Sequence, residues 1–419
     1  MRRVASKRWH DYRTFFWLFL ASAFFSNGPN NPFGVEYASE MVTAAAFLDL
    51  LHSIVRRRPL PPLSGLIFYI PIIAAFYSSS MAYFSYGQPL IYGFIEERRM
   101  FEIWVYFPLA RHIACSSDIR VIIKQVIFLG LIITVIGFSN RLGLFDGWKQ
   151  IDVGAGALRQ LRANFSGHFV IISAITALVM GSALRARTLA VINLIFVATF
   201  LLFVSQTRQY FLVLVIAIAV FSVFGTWRPT IRLAVASAGM FLLAFAAILF
   251  LGLGAPMESN TVRLFLQLFD GNFLSSNSRA LALGAVFRDI SFFGHGALSL
   301  QWENGFARVY GNYFFLADIG IFGTVHRFGI VTIVYMFVTL RLLRGAISGA
   351  AQISPIYSNL PALYSIVLVL LWPLGGILEY RGMSVALILA LSLGWLRSAP
   401  TQRQAEDLDR DKSFQACAT

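Results

Sequence analysis

Charge is scarce in this sequence: only 13% of its 419 residues are Asp, Glu, Lys or Arg. A soluble protein of that length wraps its core in a far more polar skin, so a free-standing soluble enzyme is excluded. Cysteine is nearly missing as well. Cys115 at a helix end and Cys417 in a polar stretch are the 2 present, which rules out a disulfide framework and suggests no metal site. The 6 histidines show no metal-ligand spacing, and no metal or other cofactor is expected. There is no phosphate-binding loop ending in Gly-Lys-Ser/Thr, no Gly-x-Ser-x-Gly nucleophile elbow and no zinc pattern. Asp407-Leu408-Asp409, overlapped by Asp409-Arg410-Asp411, is an Asp-x-Asp that lies in a solvated charge run, which argues against a metal-dependent nucleotide-sugar site. No internal repeat is evident, which weakens an inverted-repeat transporter.

What is abundant is apolar surface. Hydrophobic residues make up 58% of the chain, 40 of them Phe, and the mean hydropathy is +0.70. Uncharged apolar runs recur along the whole length, the signature of helices that cross a bilayer. They predict an all-α, polytopic transmembrane helical bundle of about twelve spans, near 13–27, 34–55, 61–84, 99–115, 119–139, 167–184, 188–205, 209–225, 233–254, 319–340, 360–378 and 383–397. Residues 1–398 read as a single integral membrane domain, and 399–419 as a disordered cytoplasmic tail. The first run follows a basic start and lacks a small-residue cleavage site, so it reads as a retained span. The span at 34–55 is the least apolar, with Glu36, Glu40 and Asp49. Glu36 and Glu40 are one helical turn apart and share a face, turned from lipid.

The net charge of +14 does not point to nucleic acid, because the basic residues sit at helix ends and form no stripe. With the N-terminus inside, most of them fall in cytoplasmic segments, including Arg2, Arg3, Lys7, Arg8, the run Arg56-Arg57-Arg58, Arg341 and Arg344. The positive-inside rule therefore places both termini in the cytoplasm, for a multi-pass protein of a bacterial cytoplasmic (inner) membrane.

Two outward loops are long, about 140–166 and 255–318, and loops of that size in a compact protein are usually functional. The second is a large outer loop containing amphipathic helices, at Val262–Phe269 and Ser278–Leu283, suited to lying on the membrane surface as a lid. Arginines gather on this side: Arg98, Arg99, Arg141, Arg159, Arg162, Arg208, Arg263, Arg279, Arg288, Arg308, Arg327 and Arg381. Guanidinium groups grip phosphate in a planar fork and keep their proton, so such a set suits an anionic lipid headgroup. The plain alternative is that Arg is simply this chain's preferred basic residue. Arg208 stands in a short hairpin, Ser205-Gln206-Thr207-Arg208-Gln209. His326 and Arg327 interrupt the span at 319–340, where an arginine costs about 2.5–3.5 kcal/mol and needs a polar cavity or a partner such as Asp318 or Glu303. Alternatively, that span starts later and leaves both residues at the interface. His295, flanked by Gly294 and Gly296, suits a general base beside backbone that approaches a ligand closely, or is a plain loop histidine.

Three segments carry a resemblance. Arg162-Ala163-Asn164-Phe165-Ser166-Gly167-His168 is similar to an Arg-x-x-Gly-x-Phe-x-x-Pro region, with Asn164 in place of the first Gly and the later Pro missing. Ser205-Gln206-Thr207-Arg208 is similar to a Ser/Thr-Arg hairpin between adjacent spans. Phe293-Gly294-His295-Gly296, followed by Gly311-Asn312-Tyr313-Phe314-Phe315-Leu316-Ala317-Asp318-Ile319-Gly320, resembles a large outer loop ending His-Asn-x-x-Leu, an acidic residue and Gly. All three patterns are those of the O-antigen polymerase and ligase superfamily, membrane glycosyltransferases of bacterial surface polysaccharide assembly, which this sequence resembles from about Ile119 to Leu343. Gly311 stands where the ligases carry their catalytic His, which favours a polymerase and leaves His295 or His326 to substitute.

The resemblance implies a reaction. A glycan on undecaprenyl diphosphate moves, outside the cytoplasmic membrane, to the terminal sugar of another lipid-linked repeat unit, with polyprenyl diphosphate as leaving group. It implies Arg162, Arg208, Arg279, Arg288 and Arg327 as diphosphate-binding residues, and His295, Glu303 and Arg208 as catalytic ones. The partners implied are the lipid-linked oligosaccharide substrate, membrane lipids, a chain-length regulator and a flippase, and no nucleic acid. The rival readings are a ligase that moves the finished glycan to lipid A core, and a lipid-linked oligosaccharide flippase or other transporter.

Overall fold

The structure is a computed structural model that describes residues 2–26, 31, 33–116, 118–141, 144, 166–181, 187–205, 208–224, 278–310, 316–374 and 376–397. Among the described residues the chain is all-helical, with no strand. Its α-helices are α1 (Arg2–Ala21), α2 (Ala38–Val55), α3 (Ser64–Tyr86), α4 (Leu90–Glu96), α5 (Tyr106–Cys115), α6 (Ile119–Arg141), α7 (Gly167–Met180), α8 (Arg187–Thr199), α9 (Arg208–Phe224), α10 (Ser278–Arg288), α11 (Phe306–Tyr310), α12 (Ile321–Phe328), α13 (Val331–Ile353), α14 (Asn359–Leu371) and α15 (Leu378–Leu393). Four stretches, Ala38–Val55, Ser64–Tyr86, Ile119–Asn140 and Val331–Ile353, are long and apolar enough to cross a membrane, and Gly167–Met180, Thr188–Leu202, Tyr210–Ala219, Asn359–Leu371 and Arg381–Leu396 are shorter apolar helices.

Several expected spans are interrupted. The run at 99–115 is not one helix: a 3-10 stretch, Arg98–Val105, leads into the ten-residue α5. The run at 319–340 breaks at Gly329, whose φ of 51° ends α12 before α13 begins at Val331. The long apolar helix does start late, at Val331, and His326 and Arg327 of the helix before it are buried inside the protein. Glu36 precedes α2 and is exposed, whereas Glu40 pairs with Arg98 at 2.6 Å, so the two carboxylates do not share a helical face. The run at 233–254, the loop segments 145–165 and 255–277, and the tail 399–419 lie outside the described residues, so the Val262–Phe269 helix does too. The amphipathic stretch beginning at Ser278 is helical, as α10.

Small residues set how closely the helices pack. A Cβ on Gly130 would overlap the Ser173 side chain, so its bare Cα lets α6 lie directly on α7. Asn193 of α8 joins that contact, donating to the Ile127 carbonyl and to Ser173 Oγ, both at 2.9 Å. At the centre runs α15, buried from Val385 to Leu391 and packed on the 3-10 stretch, α5, α13 and α7. Its one non-helical residue is Arg381, at φ −135° and ψ 21°. That kink marks where the apolar bundle meets its polar residues.

Candidate functional site

The polar centre is organised by α12, whose eight residues lie between Gly320 and Gly329. Residues three and four apart share a helical face and neighbours do not, so Thr324 and Arg327 lie on one face of α12 and His326 leaves it in a different direction. Each meets a different group. Thr324 donates to Glu379 Oε1 at 2.9 Å, and Tyr335 of α13 donates to Oε2 of the same carboxylate at 2.8 Å. Arg327 Nη1 lies 3.0 Å from Glu97 Oε2 and 3.2 Å from Oε1. The two side chains are 4% and 1% exposed, so this is a fully buried ion pair. Ser78 of α3 donates to Glu97 Oε1 at 2.7 Å. Burial pushes the Glu97 carboxyl up, against the pull of the Arg327 guanidinium and the Ser78 hydroxyl.

His326 points into a second cluster. Its Nε2 is 2.7 Å from the Tyr310 hydroxyl, which donates to Asp289 Oδ2 at 2.9 Å. Tyr86 of α3 reaches the same hydroxyl at 3.0 Å. His295 Nε2 sits 3.3 Å from Asp289 Oδ1, and its Nδ1 is 3.3 Å from Ser85 Oγ. Burial, with Tyr86 and the Asp289 charge beside it, raises the Tyr310 phenol far above its ordinary range, so it remains a proton donor.

Backbone contacts fix the His295 loop. His295 N–H donates to the His326 carbonyl at 2.8 Å, Gly296 N–H to Arg327 at 3.0 Å, and Ile330 N–H to Phe292 at 2.8 Å. Ala297 N–H donates to Ser78 Oγ at 2.9 Å, and the Gln88 amide pairs with Ala297 and Ser299. Gly294 and Gly296 have φ of 78° and 73°. A Cβ on the first would overlap the Arg327 carbonyl, and on the second the Ser78 carbonyl. The glycines around His295 thus permit close approach to α12 and α3 of the same chain, not to a ligand as expected.

A third polar corner forms where α7, α9, α14 and α15 meet. Arg381, 6% exposed, is within electrostatic reach of His168 and Tyr364. Arg381 Nη1, both ring nitrogens of His168 and Ser166 Oγ are buried and bond to nothing among the described residues. Tyr210 packs its ring edge on His168, centroids 4.9 Å apart. The start of α7 has no side-chain cap, because Ser166 adopts φ 52° and its hydroxyl does not reach back. The N-terminal end of α7 without a side-chain cap, a guanidinium and an imidazole make a corner rich in donors, which suits an anion.

The expected site residues separate. His295 joins Asp289, His326 and Tyr310. Arg327 is a buried partner of Glu97, whereas Glu303, one of its expected partners, is exposed in a turn; the side chain of Asp318, the other, lies outside the described residues. Arg288 is exposed and donates to the carbonyl of Gly284 on its own helix at 3.1 Å. No hydrogen bond or ion pair among the described residues links the Glu303 or Arg288 side chain to the His295 cluster. Arg162 lies outside the described residues, and Arg208 and Arg279 are described by backbone alone, as the start of α9 and the first turn of α10. Sequence reasoning missed Glu97 and Asp289. Glu96-Glu97-Arg98-Arg99 reads as a solvated charge run, and Asp289 follows an exposed arginine, so neither signals burial or a partner. An apolar crevice of about 380 Å³ between α1 and α2, lined by Phe19, Phe24, Val35, Met41 and others, holds none of these residues. No protein-family model matches the chain, and no curated protein matches it.

Proposed function

We propose that the protein is a membrane glycosyltransferase that polymerises undecaprenyl-diphosphate-linked oligosaccharide repeat units on the outer face of a bacterial cytoplasmic membrane. The observation that carries this reading is the donor-rich corner of His168, Arg381 and the uncapped start of α7. It brings the end of the Arg162–His168 segment beside Tyr210, two residues beyond the Ser205–Arg208 hairpin. A diphosphate fits there: it would satisfy buried polar atoms that bond to nothing among the described residues and would neutralise Arg381. As the bond between the donor sugar and the diphosphate breaks, charge grows on the departing phosphate oxygen, and donors fixed beforehand stabilise it most in the transition state. The acceptor sugar's hydroxyl forms the new glycosidic bond and gives up its proton at the Asp289–His295 pair, where the 3.3 Å contact orients the imidazole. Arg162 and Arg208 join the diphosphate grip on sequence grounds, and Arg327 serves by holding α12 in place.

One observation favours a second reading, a lipid-linked oligosaccharide transporter. Glu97, Arg327, Glu379 and Arg381 are all buried in the bundle, as charges along a translocation path would be. Three of the four already have hydrogen-bonded partners, so transferase remains the better fit.

Deleting the gene and resolving the host's surface polysaccharide on a gel tests the assignment. Glycans of one repeat unit are expected. Long chains left unattached to lipid A core would mean a ligase, and no repeat units outside the membrane would mean a transporter. Arg208→Ala is expected to reproduce the deletion at unchanged protein level, with poor rescue by Arg208→Lys, which lacks the planar fork.

A further inference from the structure

We propose that Asp289, His295 and His326 form a binding site for a divalent transition-metal ion of the zinc type. One ligating atom from each of the three lies within 4.8 Å of the other two. His295 Nε2 lies 3.3 Å from Asp289 Oδ1, and His326 Nε2 lies 3.9 Å from the other carboxylate oxygen, Oδ2. Ligands held tetrahedrally at about 2.0–2.1 Å from zinc stand about 3.3 Å apart, so the His295 contact already fits, and side-chain rotation of Asp289 and His326 brings the third ligand to the same ion. Two imidazoles and one carboxylate are a donor set for zinc and its first-row neighbours, not for calcium or magnesium, which prefer oxygen.

The surroundings resemble those of a catalytic metal site more than a closed structural one. Three protein ligands leave a fourth position open, as catalytic zinc sites do. The His326 side chain is fully enclosed while that of Asp289 is 41% exposed, which gives an ion a way in and leaves one side for a further ligand. Both histidines are held before any ion arrives. His326 sits on α12 next to the buried Arg327–Glu97 pair, and the His295 backbone is hydrogen-bonded to the His326 carbonyl. Ser85 at His295 Nδ1 is an outer partner that orients such a ligand; the Tyr310 hydroxyl, 2.7 Å from His326 Nε2 and 2.9 Å from Asp289 Oδ2, gives up its bond to the imidazole when an ion binds and keeps the one to the carboxylate. The three ligands come from two separate segments, so no spacing in the sequence announces them.

Binding stands on this geometry alone; its role in the reaction rests on the glycosyl-transfer reading. An ion at this position would hold the acceptor hydroxyl in its open coordination site and lower its pKa. The proton would pass to water on the open side of Asp289, and the hydroxyl oxygen would form the new bond to the sugar as the diphosphate departs. His295 would then act as a ligand and not as the base.

Zinc binding by the purified full-length protein in detergent decides the matter. After chelator treatment, reloading with Zn²⁺ and dialysis, about one zinc per chain is expected by mass spectrometry. The triple variant D289N/H295Q/H326Q should retain at least tenfold less, and His52→Gln, at an exposed histidine, should retain as much as the parent. The single change Asp289→Asn, at a half-exposed side chain, carries the same test should the triple variant misfold. Equal zinc in parent and variants, or none in the parent, overturns the proposal and leaves a hydrogen-bonded network only. Zinc bound at this site in a protein whose deletion leaves chain length unchanged would keep the metal and discard the glycosyl transfer.

Discussion

Arg327 and Arg381 are both buried in the same helical bundle, at 3% and 6% exposure, but their surroundings are opposite. Arg327 faces Glu97 at 3.0 Å, with Ser78 completing the carboxylate's bonds. Arg381 forms no ion pair among the described residues, and its Nη1 bonds to nothing there. Burying a charge is costly unless it is paired. The first arginine meets that requirement inside the chain, and so reads as a pin for α12. The second has no such acid among the described residues, and the proposed function gives that place to a diphosphate. Burial alone does not separate the two; the partner does.

Substitutions at and around these residues break or sharpen that contrast. The largest effect is expected from Glu97→Gln, which leaves the Arg327 charge without its acid and should cost about 3–5 kcal/mol, seen as a large drop in the thermal midpoint of the detergent-solubilised protein. The double change E97Q/R327M should recover most of that loss. Recovery that fails would show that the pair does more than cancel a buried charge. Next comes Arg381→Met. It should leave the midpoint unchanged or raised while lowering chain-extension activity by roughly 10²–10³-fold, the cost of one donor aimed at developing negative charge. A midpoint that falls as far as for Glu97→Gln would make Arg381 a second pin and erase the distinction.

Gly296→Ala tests how the His295 loop is held. Its φ of 73° and the Ser78 carbonyl behind it predict a loss of about 1–3 kcal/mol, as for a residue forced into a sparsely populated conformation. Gly284→Ala on α10, where a Cβ meets nothing within 4 Å, is the control and should be neutral or stabilising by up to about 1 kcal/mol. The smallest effect is expected from Arg98→Ala. It breaks the ion pair with Glu40, whose side chains are 38% and 35% exposed, and should move the midpoint by no more than about 1 kcal/mol in equivalent stability.

Much of the fold was legible in the sequence because apolar length is a local property. The runs at 34–55, 61–84 and 119–139 match α2, α3 and α6 within a few residues. The misreadings have causes of both kinds. Apolar content at 99–115 hid a 3-10 stretch, since Glu102 and Ile103 pack against α15 at Gly382 and Trp104 stacks on Phe47 and Phe68, contacts that no local pattern reports. The break inside 319–340 depended on Gly329 taking a left-handed conformation, which its identity permits but does not require. In the site, His295 and Arg327 stood out by their neighbours in the sequence, while Glu97, Asp289 and Tyr310 did not.

The sequence by itself determined that the chain is helical and apolar enough to cross a membrane, because hydrophobicity and backbone hydrogen bonding act on each segment alone. It also marked the few polar residues that such a body must accommodate. Only the tertiary structure decided which of them meet. Asp289 and His326, or His168 and Arg381, are distant in the chain and become neighbours through packing, and the pairing of charges in a medium with little water depends on distances that no single segment sets.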